Sequence, residues 1–359
     1  MKFCNDFLEK GNYMEFHDPN FKTIKFIDLM VSTGENYLRK KGFERVTVPR
    51  IVPASGACEN IDTLFEIGVD KDINWFNKGE KRAYFAQTGQ LYLESLLGRG
   101  GLEKVYCIGP SGRAEPKADT RHLTEFEMIE IEFRGNFGDL LVEMEDFITN
   151  LVNTIKAIPK EKRVEYGLPS DLSHLENHPD SFPRIQYEDA VKELGLEWGD
   201  DISSAQEKEL IQNHGGGPIL IVRFPNPESE RMKKLFAAKN DNLAIKFFNM
   251  LPDPVNPELV QSADCIVPFG GECIGSAARV WEHEEFQSRL YNSEMFKDLK
   301  VKDDKAKDGF AWYLQMLKEY PSVPHSGCGF GLSRIFQYLL GQTDISKAVT
   351  FPSNRSRIY

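Results

Sequence analysis

Apolar residues recur at helical spacing in two long stretches of the chain and form strand-like runs in several shorter ones. Between residues 21 and 38 the apolar side chains lie on one helical face, and Gly42 ends the predicted helix. Residues 137–158 repeat this spacing and predict a long amphipathic helix. Four runs typical of strands lie between these two helices: "ERVTVPRIV", "RAYFAQ", "KVYCIGP" and "TEFEMIEIEF".

The second half of the chain continues this alternation of strands and helices. "ADCIVPFGGECIGSAARVW" predicts two strands joined by a turn, and "PHSGCGFGLSRIFQYLLG" predicts a strand that leads into a last helix. The strands follow one another across turns more often than across helices. This favours an α+β fold with an antiparallel β-sheet flanked by helices, in a single domain over 1–359. The more polar stretch around 158–260 predicts an insertion of short helices and loops.

Composition limits the partners and the location of the protein. Lys and Arg number 44 against 55 Asp and Glu, and the net charge of −11 argues against a broad nucleic-acid surface, although a local basic patch stays open. The N-terminus has no apolar leader, and no window is long and apolar enough for a membrane span. Six cysteines without a CxxC pair predict free thiols, so we expect a cytoplasmic protein with no membrane partner.

The stretch "SGRAEPKADTRHLTEFEMIEIEF" at 111–133 carries the first candidate chemistry. Guanidinium groups bind phosphate oxygens well, and Arg113 on one side of the turn with Arg121 and His122 on the other would bracket a polyphosphate. Glu115 would accept a hydrogen bond from an exocyclic amine, and Phe126 offers a face on which a base can stack. A solvated hairpin with charged residues is the alternative interpretation.

Two later stretches add to this candidate site. "GCGFGLSR" at 327–334 has glycines at alternate positions, which let the backbone pass close to a flat ligand, and Arg334 follows. It is neither a Rossmann fingerprint nor a P-loop, since it lacks a βαβ unit and a GK[ST] sequence. In "SADCIVPFGGECIGSAAR", Asp264 and Glu272 lie on consecutive predicted strands, where two carboxylates can share Mg²⁺ that bridges phosphates. Solvated carboxylates are the alternative there.

Together these stretches resemble the three signature motifs of class II aminoacyl-tRNA synthetases. "GFERVTVPRIV" is similar to motif 1, the dimer-forming helix and strand, "GRAE…RHLTEF" to motif 2, and "GCGFGLSR" to motif 3. Segments such as "AQTGQLYLESLL", "GECIGSAARVW" and "YPSVPHSGCGFGL" resemble the aspartyl/asparaginyl subgroup, and most of all its asparaginyl members. The resemblance covers about residues 20–352. It implies an antiparallel sheet of six to seven strands, ATP bent over Mg²⁺, and a homodimer formed through residues 20–55.

The resemblance also implies a role for each candidate residue. Arg113 and Arg334 would be catalytic because they stabilise negative charge, Arg113 on the α-phosphate and Arg334 on the far phosphates. ATP would be bound further by Glu115, Arg121, His122 and Phe126, and the magnesium ion by Asp264 and Glu272. The amino-acid substrate would be held by Glu59, Gln87, Glu130 and Arg279. No protein nucleophile is needed, because positioning and charge neutralisation accomplish the attack of a carboxylate on the α-phosphorus.

Two positions bear on the choice of amino acid. The aspartate-specific pattern of the subgroup has a lysine where this chain has Leu93, and the asparaginyl pattern has a carboxylate where this chain has Glu130. A carboxylate accepts from the amide NH₂ of asparagine and repels the side chain of aspartate, and such a site can discriminate on the order of 10⁴-fold. Asparagine is therefore the expected substrate. In the alternative interpretation Glu130 faces solvent on a half-buried strand.

The chain also departs from the family pattern. The pattern begins by residue 20, so we expect no anticodon-binding domain and poor recognition of tRNA by an acidic chain. Asn60 and Ile61 stand where the family has two glycines, Ser333 stands where it has a glutamate, and Ser353 stands where it has an arginine. The effect of these four residues on activity stays open.

Three functions are compatible with these residues. The first is activation of asparagine to an aminoacyl-adenylate, with transfer to tRNA or to another nucleophile. The second is an ammonia-dependent asparagine synthetase that acts on aspartate, which Leu93 and Glu130 disfavour. The third is an inactive regulatory paralogue, which the retained charged residues disfavour. The sequence does not identify the acceptor among tRNA, ammonia, a small amine, a peptide or a protein.

Overall fold

A computed structural model of the chain describes residues 19–54, 63–68, 83–98, 100–238, 242–294, 296–297, 306–320 and 323–357. Nine α-helices lie within these ranges: α1 (Ile24–Lys40), α2 (Gln90–Gly98), α3 (Phe137–Lys156), α4 (Tyr187–Glu193), α5 (Ser204–Asn213), α6 (Glu230–Ala237), α7 (His283–Asn292), α8 (Ala306–Glu319) and α9 (Leu332–Leu340). None of the helices in these ranges has the length and apolar character required to cross a membrane.

Eight of ten described strands form one sheet. The strands are β1 (Glu44–Arg45), β2 (Ile51–Val52), β3 (Tyr84–Phe85), β4 (Lys104–Gly112), β5 (Glu125–Phe133), β6 (Arg184–Gln186), β7 (Ile219–Val222), β8 (Ser262–Val267), β9 (Gly271–Ala278) and β10 (Ser326–Gly331). The order in the sheet is β1-β4-β5-β10-β9-β8-β7-β6, and β2 pairs with β3 separately. The interior pairs are antiparallel, whereas the edge strands β1 and β6 pair in parallel.

The predicted α+β class is therefore confirmed, with differences at the edges of the sheet. The sheet has eight strands rather than six or seven, and two of them, β6 and β7, come from the segment around 158–260. The predicted continuous strand over 44–52 is wrong. It is divided into β1 and β2, with Pro49 in the irregular link between them, since proline has no N–H to donate to a ladder.

Helices α1, α3 and α9 cover one face of the sheet. Ile129 and Ile131 of β5 and Phe330 of β10 lie in a large buried apolar cluster with residues of these helices. α1 approaches α3 closely at Gly34, where a Cβ would lie 2.9 Å from Cζ of Phe147. α3 begins with a capping box, in which Asn136 and Asp139 bond each other's backbone N–H. This face holds the main core, and the opposite face remains available for a site.

Candidate active site

Glycines make an open floor on the opposite face of the sheet. Gly327, Gly329 and Gly331 alternate along β10 and face away from the core cluster, and Gly275 faces the same way on the neighbouring β9. An added Cβ at Gly275 would meet only Oε1 of Glu272, at 3.6 Å. Gly275, Gly329 and Gly331 line a cavity of about 240 Å³ above the middle strands, whereas the Glu132 carboxylate lies over Gly327.

Two arginines without carboxylate partners line the cavity. Arg113 follows β4, is exposed, and places its guanidinium 5.8 Å from the ring centroid of Phe126. Arg334 lies in the first turn of α9, and its Nη1 donates to the carbonyl oxygen of Glu272 at 2.6 Å. Within the part of the chain that the structure describes, no carboxylate pairs with either guanidinium. Their charges therefore stay available for an anion.

The other two predicted phosphate-binding residues have protein partners. Nη2 of Arg121 lies 2.8 Å from Oε2 of Glu207, which reaches over from α5. Nδ1 of His122 lies 2.8 Å from Oδ1 of Asp119 in the same turn. Both side chains line the cavity, as does Glu115. The charge of Arg121 is already balanced in this structure, so Arg121 is a weaker anion site than Arg113.

The two predicted magnesium ligands also line the cavity. Asp264 on β8 pairs with Gly275 of β9, and Oε1 of Glu272 lies 3.6 Å from the position of an added Cβ on Gly275, so both carboxylates border the cavity near this glycine. Nζ of Lys246 lies 2.6 Å from Oδ2 of Asp264 and 4.1 Å from the ring centroid of Phe224. Two carboxylates beside room for phosphate oxygens are a donor set that suits Mg²⁺, which takes one or two carboxylates in phosphate-binding sites.

The residues at the opposite end of the cavity are more deeply buried. Nε2 of Gln87 donates to the backbone and side-chain oxygens of Thr63, both at 3.1 Å. Glu130 is only 1% exposed and lines the cavity, so the interpretation in which it faces solvent is wrong. Leu93 is fully buried in an apolar cluster with Leu97 and Cys107. Glu59, with Asn60 and Ile61, lies outside the described residues.

Arg279 stands at the centre of a buried charge cluster. Its Nη2 donates to Oε1 of Gln90 at 2.7 Å and to the carbonyl of Gly327 at 3.2 Å, and its Nε lies 3.3 Å from Oε1 of Glu132. Oε1 of Glu94 lies 3.8 Å from the same Nε. These contacts fix the guanidinium plane at the cavity wall, where it can donate to a side-chain carbonyl.

Glu94 is the better satisfied of the two carboxylates. It accepts from Tyr313 at 2.6 Å and from Asn249 at 3.0 Å, and its Oε2 lies 3.4 Å from Nε2 of His325. Burial raises the pKa of Glu94, but His325 and Arg279 outweigh it, and the net pKa is lowered. The pKa of His325 rises despite burial because Glu94 and Glu132 face it.

Glu132 has fewer donors, and burial, reinforced by the Glu94 charge, raises its pKa to about 7 although Arg279 opposes this. Glu94, Glu132 and His325 lie close enough to hold a metal ion. The Arg279 guanidinium already supplies the positive charge between the two carboxylates, so the cluster is complete without one.

The structure thus brings the described candidate residues to one cavity, and it adds residues that sequence reasoning missed. Lys246 was weakly indicated in the sequence, since it is a lone lysine among apolar residues in "AIKFFNM". Glu132 was also weakly indicated, as a glutamate in the buried half of an alternating strand. Glu207, Glu94 and His325 were not indicated, because each meets its partner across a large distance in the chain.

A mixed sheet with an antiparallel middle, a glycine floor and unpaired arginines at one end of the cavity defines the catalytic core of a class II aminoacyl-tRNA synthetase. The family model for class II tRNA synthetases (D, K and N) matches residues 5–355, and the chain belongs to this family.

Among similar proteins are asparagine–tRNA ligases of Pelotomaculum thermopropionicum and Pyrococcus furiosus. The first is 34% identical over 97% of this chain and 72% of its own, and the second is 32% identical with the same coverage. Two solved structures share the fold. The asparaginyl-tRNA synthetase from Pyrococcus horikoshii complexed with asparaginyl-adenylate has a TM-score of 0.76 at 29% identity, over 95% of this chain and 70% of its own. The Entamoeba histolytica enzyme, also with asparaginyl-adenylate, has 0.73 at 26%, over 94% and 68%.

Proposed function

We propose that this protein activates asparagine with ATP to asparaginyl-adenylate and transfers the asparaginyl group to tRNA. The single observation that carries the choice of amino acid is Glu130, a buried carboxylate at the closed end of the cavity. Relatives that span most of the chain are asparagine–tRNA ligases, and two structural neighbours hold asparaginyl-adenylate, which supports the same substrate.

The first step needs no protein nucleophile. An α-carboxylate oxygen of asparagine attacks the α-phosphorus, the bond from that phosphorus to the bridging oxygen breaks, and pyrophosphate leaves with the electron pair. We assign Arg113 to the α-phosphate and Arg334 to the far phosphates, because both guanidinium groups line the cavity without carboxylate partners. Fixed charges of this kind stabilise the transition state without reorganisation.

The remaining contacts to ATP follow the walls of the cavity. Phe126 offers the adenine a stacking face beside Arg113, and Glu115 accepts from its amine. Arg121 and His122 would support the far phosphates while Glu207 and Asp119 hold them in place. Asp264 and Glu272 would hold Mg²⁺, whose charge neutralises phosphate oxygens when the ion is bound.

The asparagine side chain would lie between two fixed groups. Arg279 donates to the side-chain carbonyl, and Glu130 accepts from the side-chain NH₂. Gln87 and Glu59 would bind the α-amino end. Aspartate fits this arrangement poorly because its second carboxylate oxygen would meet the Glu130 charge, and because the position of Leu93 carries no cation. This disfavours an ammonia-dependent asparagine synthetase.

In the transfer step, a ribose hydroxyl at the acceptor end of tRNA attacks the acyl carbon, and AMP leaves. We infer also that the protein works as a homodimer through residues 20–55. Exposed apolar side chains within that range, Phe21, Ile24 and Ile51, support this assembly.

ATP–pyrophosphate exchange with each of the twenty amino acids tests the proposal. Exchange with asparagine alone is expected, followed by asparaginylation of tRNA. Exchange with aspartate and formation of asparagine on addition of ammonia would establish the synthetase alternative instead. Absence of exchange with any amino acid by a properly folded protein would favour the inactive regulatory paralogue.

A further inference from the structure

Arg50 lies directly behind the amino-acid end of the cavity. It precedes β2, and its carbonyl accepts from the N–H of Ala86 at 2.8 Å, next to Gln87. Its Nη1 lies 3.8 Å from Oε2 of Glu130. Arg50 is not among the residues that line the cavity as the structure describes it. Its guanidinium is therefore placed to act on a bound amino acid through Glu130.

The groups around the Glu130 carboxylate are hydrogen-bond donors. The N–H of Gly89 lies 3.0 Å from Oε1 and 2.9 Å from Oε2, and the hydroxyl of Thr88 donates to Oε1. The thiol of Cys107 donates to Oε2 at 3.6 Å, and burial raises the pKa of this thiol, so it keeps its proton. The two oxygens of the Glu130 carboxylate thus accept from backbone, hydroxyl and thiol donors.

These neutral donors do not balance the charge of a buried carboxylate. Burial of an unpaired ion is costly. Across the described ranges, Arg50 is the one lysine or arginine whose charged nitrogen lies within 4.0 Å of the Glu130 carboxylate. Its guanidinium is therefore the counter-charge of this buried carboxylate.

The position of this guanidinium depends on a glycine. Arg50 lies flat on the backbone of β4 at Gly109, where an added Cβ would overlap both Nη2 and Cζ. The buried Nη1 has no hydrogen-bond partner, and it points into the short gap beside Glu130. The strand thus leaves a fitted place for this one side chain, in addition to the ion pair itself.

The Glu130 carboxylate accepts from an amide NH₂ and repels a second carboxylate, so its placement decides which amino acid it favours. We propose that Arg50 is a positioning residue for specificity: its guanidinium holds the Glu130 carboxylate in place behind the cavity and so sets the preference for asparagine over aspartate. This inference rests on the proposed function.

The test compares kcat/KM for asparagine with kcat/KM for aspartate in ATP–pyrophosphate exchange. Arg50→Met should lower the ratio by on the order of 10-fold or more, mostly through a loss with asparagine because the Glu130 carboxylate is no longer held in place, while Arg50→Lys keeps the charge and restores most of the ratio. Gly109→Ala, which displaces the guanidinium and leaves its charge, should lower the ratio as well. This second variant covers the case in which Arg50→Met does not fold.

A double-mutant cycle separates specificity from a general structural role. Glu130→Gln should itself lower the ratio strongly, because its amide can donate to a carboxylate, and adding Arg50→Met should then change nothing further. An unchanged ratio in Arg50→Met, an equal loss of rate with both amino acids, or an additive effect in the double variant overturns the inference. Failure of the wild-type protein to exchange with asparagine would overturn the proposed function, and this inference with it.

Discussion

At the scale of single residues, the cavity distinguishes cations that are free from cations that are paired. Arg113 and Arg334 have no carboxylate partner in the described part of the chain, whereas Arg121 is held by Glu207 at 2.8 Å and Lys246 lies 2.6 Å from Asp264. Unpaired guanidinium groups exert their full charge on a phosphate, and paired ones do so only in part. Arg113 and Arg334 are therefore the first residues to mutate.

Arg113→Ala should abolish measurable exchange, a loss of at least about 10²-fold, because a fixed charge at the α-phosphate disappears. The thermal midpoint should stay within a few degrees, since the side chain is exposed. Exchange assays and a circular dichroism melt measure both quantities. Arg184→Ala, which removes another partly exposed arginine at the far edge of the sheet, is the matched control. Normal exchange by the Arg113 variant would disprove the phosphate assignment.

Glu132 gives a prediction for pH. Burial raises its pKa to about 7 from an ordinary value of 4.5, so the folded state binds this proton more tightly than the unfolded state. Its stabilising effect is complete below pH 4.5 and is lost as the pH rises through about 7. His325, whose pKa is also raised, changes stability in the same direction at higher pH.

Glu132→Gln should remove this dependence on pH. Between pH 5 and pH 8, the wild-type free energy of unfolding should fall relative to that of the variant by on the order of 1–3 kcal/mol. Urea denaturation at each pH measures the difference. Glu165→Gln, at an exposed position, should show no such trend. A constant difference between wild type and Glu132→Gln over this range would refute the shift.

At the scale of elements, β10 lines the cavity and also contacts the charge cluster around Arg279. A Cβ on Gly327 would overlap the carboxylate of Glu132 and the backbone carbonyl of Ile131. The backbone carbonyl cannot move without breaking the ladder between β5 and β10, in which Gly327 pairs with Glu132. Glycine is therefore required there by the close approach of two strands and a side chain.

Gly327→Ala should lower the free energy of unfolding by roughly 1–3 kcal/mol, as expected when a packed site is overfilled. Because it also displaces Glu132 from Arg279, the KM for asparagine should rise. Gly275→Ala is the matched control for stability, since its Cβ would make only an ordinary contact at 3.6 Å. Equal stability of the two variants in urea would show that the strand can relax around the methyl group.

At the scale of the whole molecule, the prediction concerns the formation of a dimer. Phe21 is 68% exposed, and Ile24, the first residue of α1, is 47% exposed. Apolar side chains gain free energy when a second surface covers them and removes them from water. The double variant Phe21→Asp, Ile24→Asp should sediment as a monomer at micromolar concentration, whereas the wild type should sediment as a dimer. Val255→Asp, at an exposed loop position, should leave the dimer intact.

The sequence by itself determined the order and type of most elements and indicated three of the residues that line the cavity. The spacing in α1 and α3, the strand pairs around 104–133 and 262–278, and the glycine-rich strand that leads into α9 are all local patterns. Arg113, Phe126 and Arg334 lie within or beside those patterns, so motif and residue chemistry located them together. The break between β1 and β2 was not predicted from the sequence, because a proline only suggests where a strand ends.

Only the tertiary structure decided which charges face each other. Arg121 meets Glu207 across 86 residues of chain, Arg279 meets Glu132 across 147, and Arg50 meets Glu130 behind the cavity. Such pairings depend on strand order and register and on the segment that supplies β6 and β7. Local periodicity does not predict these pairings, because it indicates the direction of a side chain but not the residue that lies opposite. The partners of Glu130 and Arg279 are therefore a property of the folded chain.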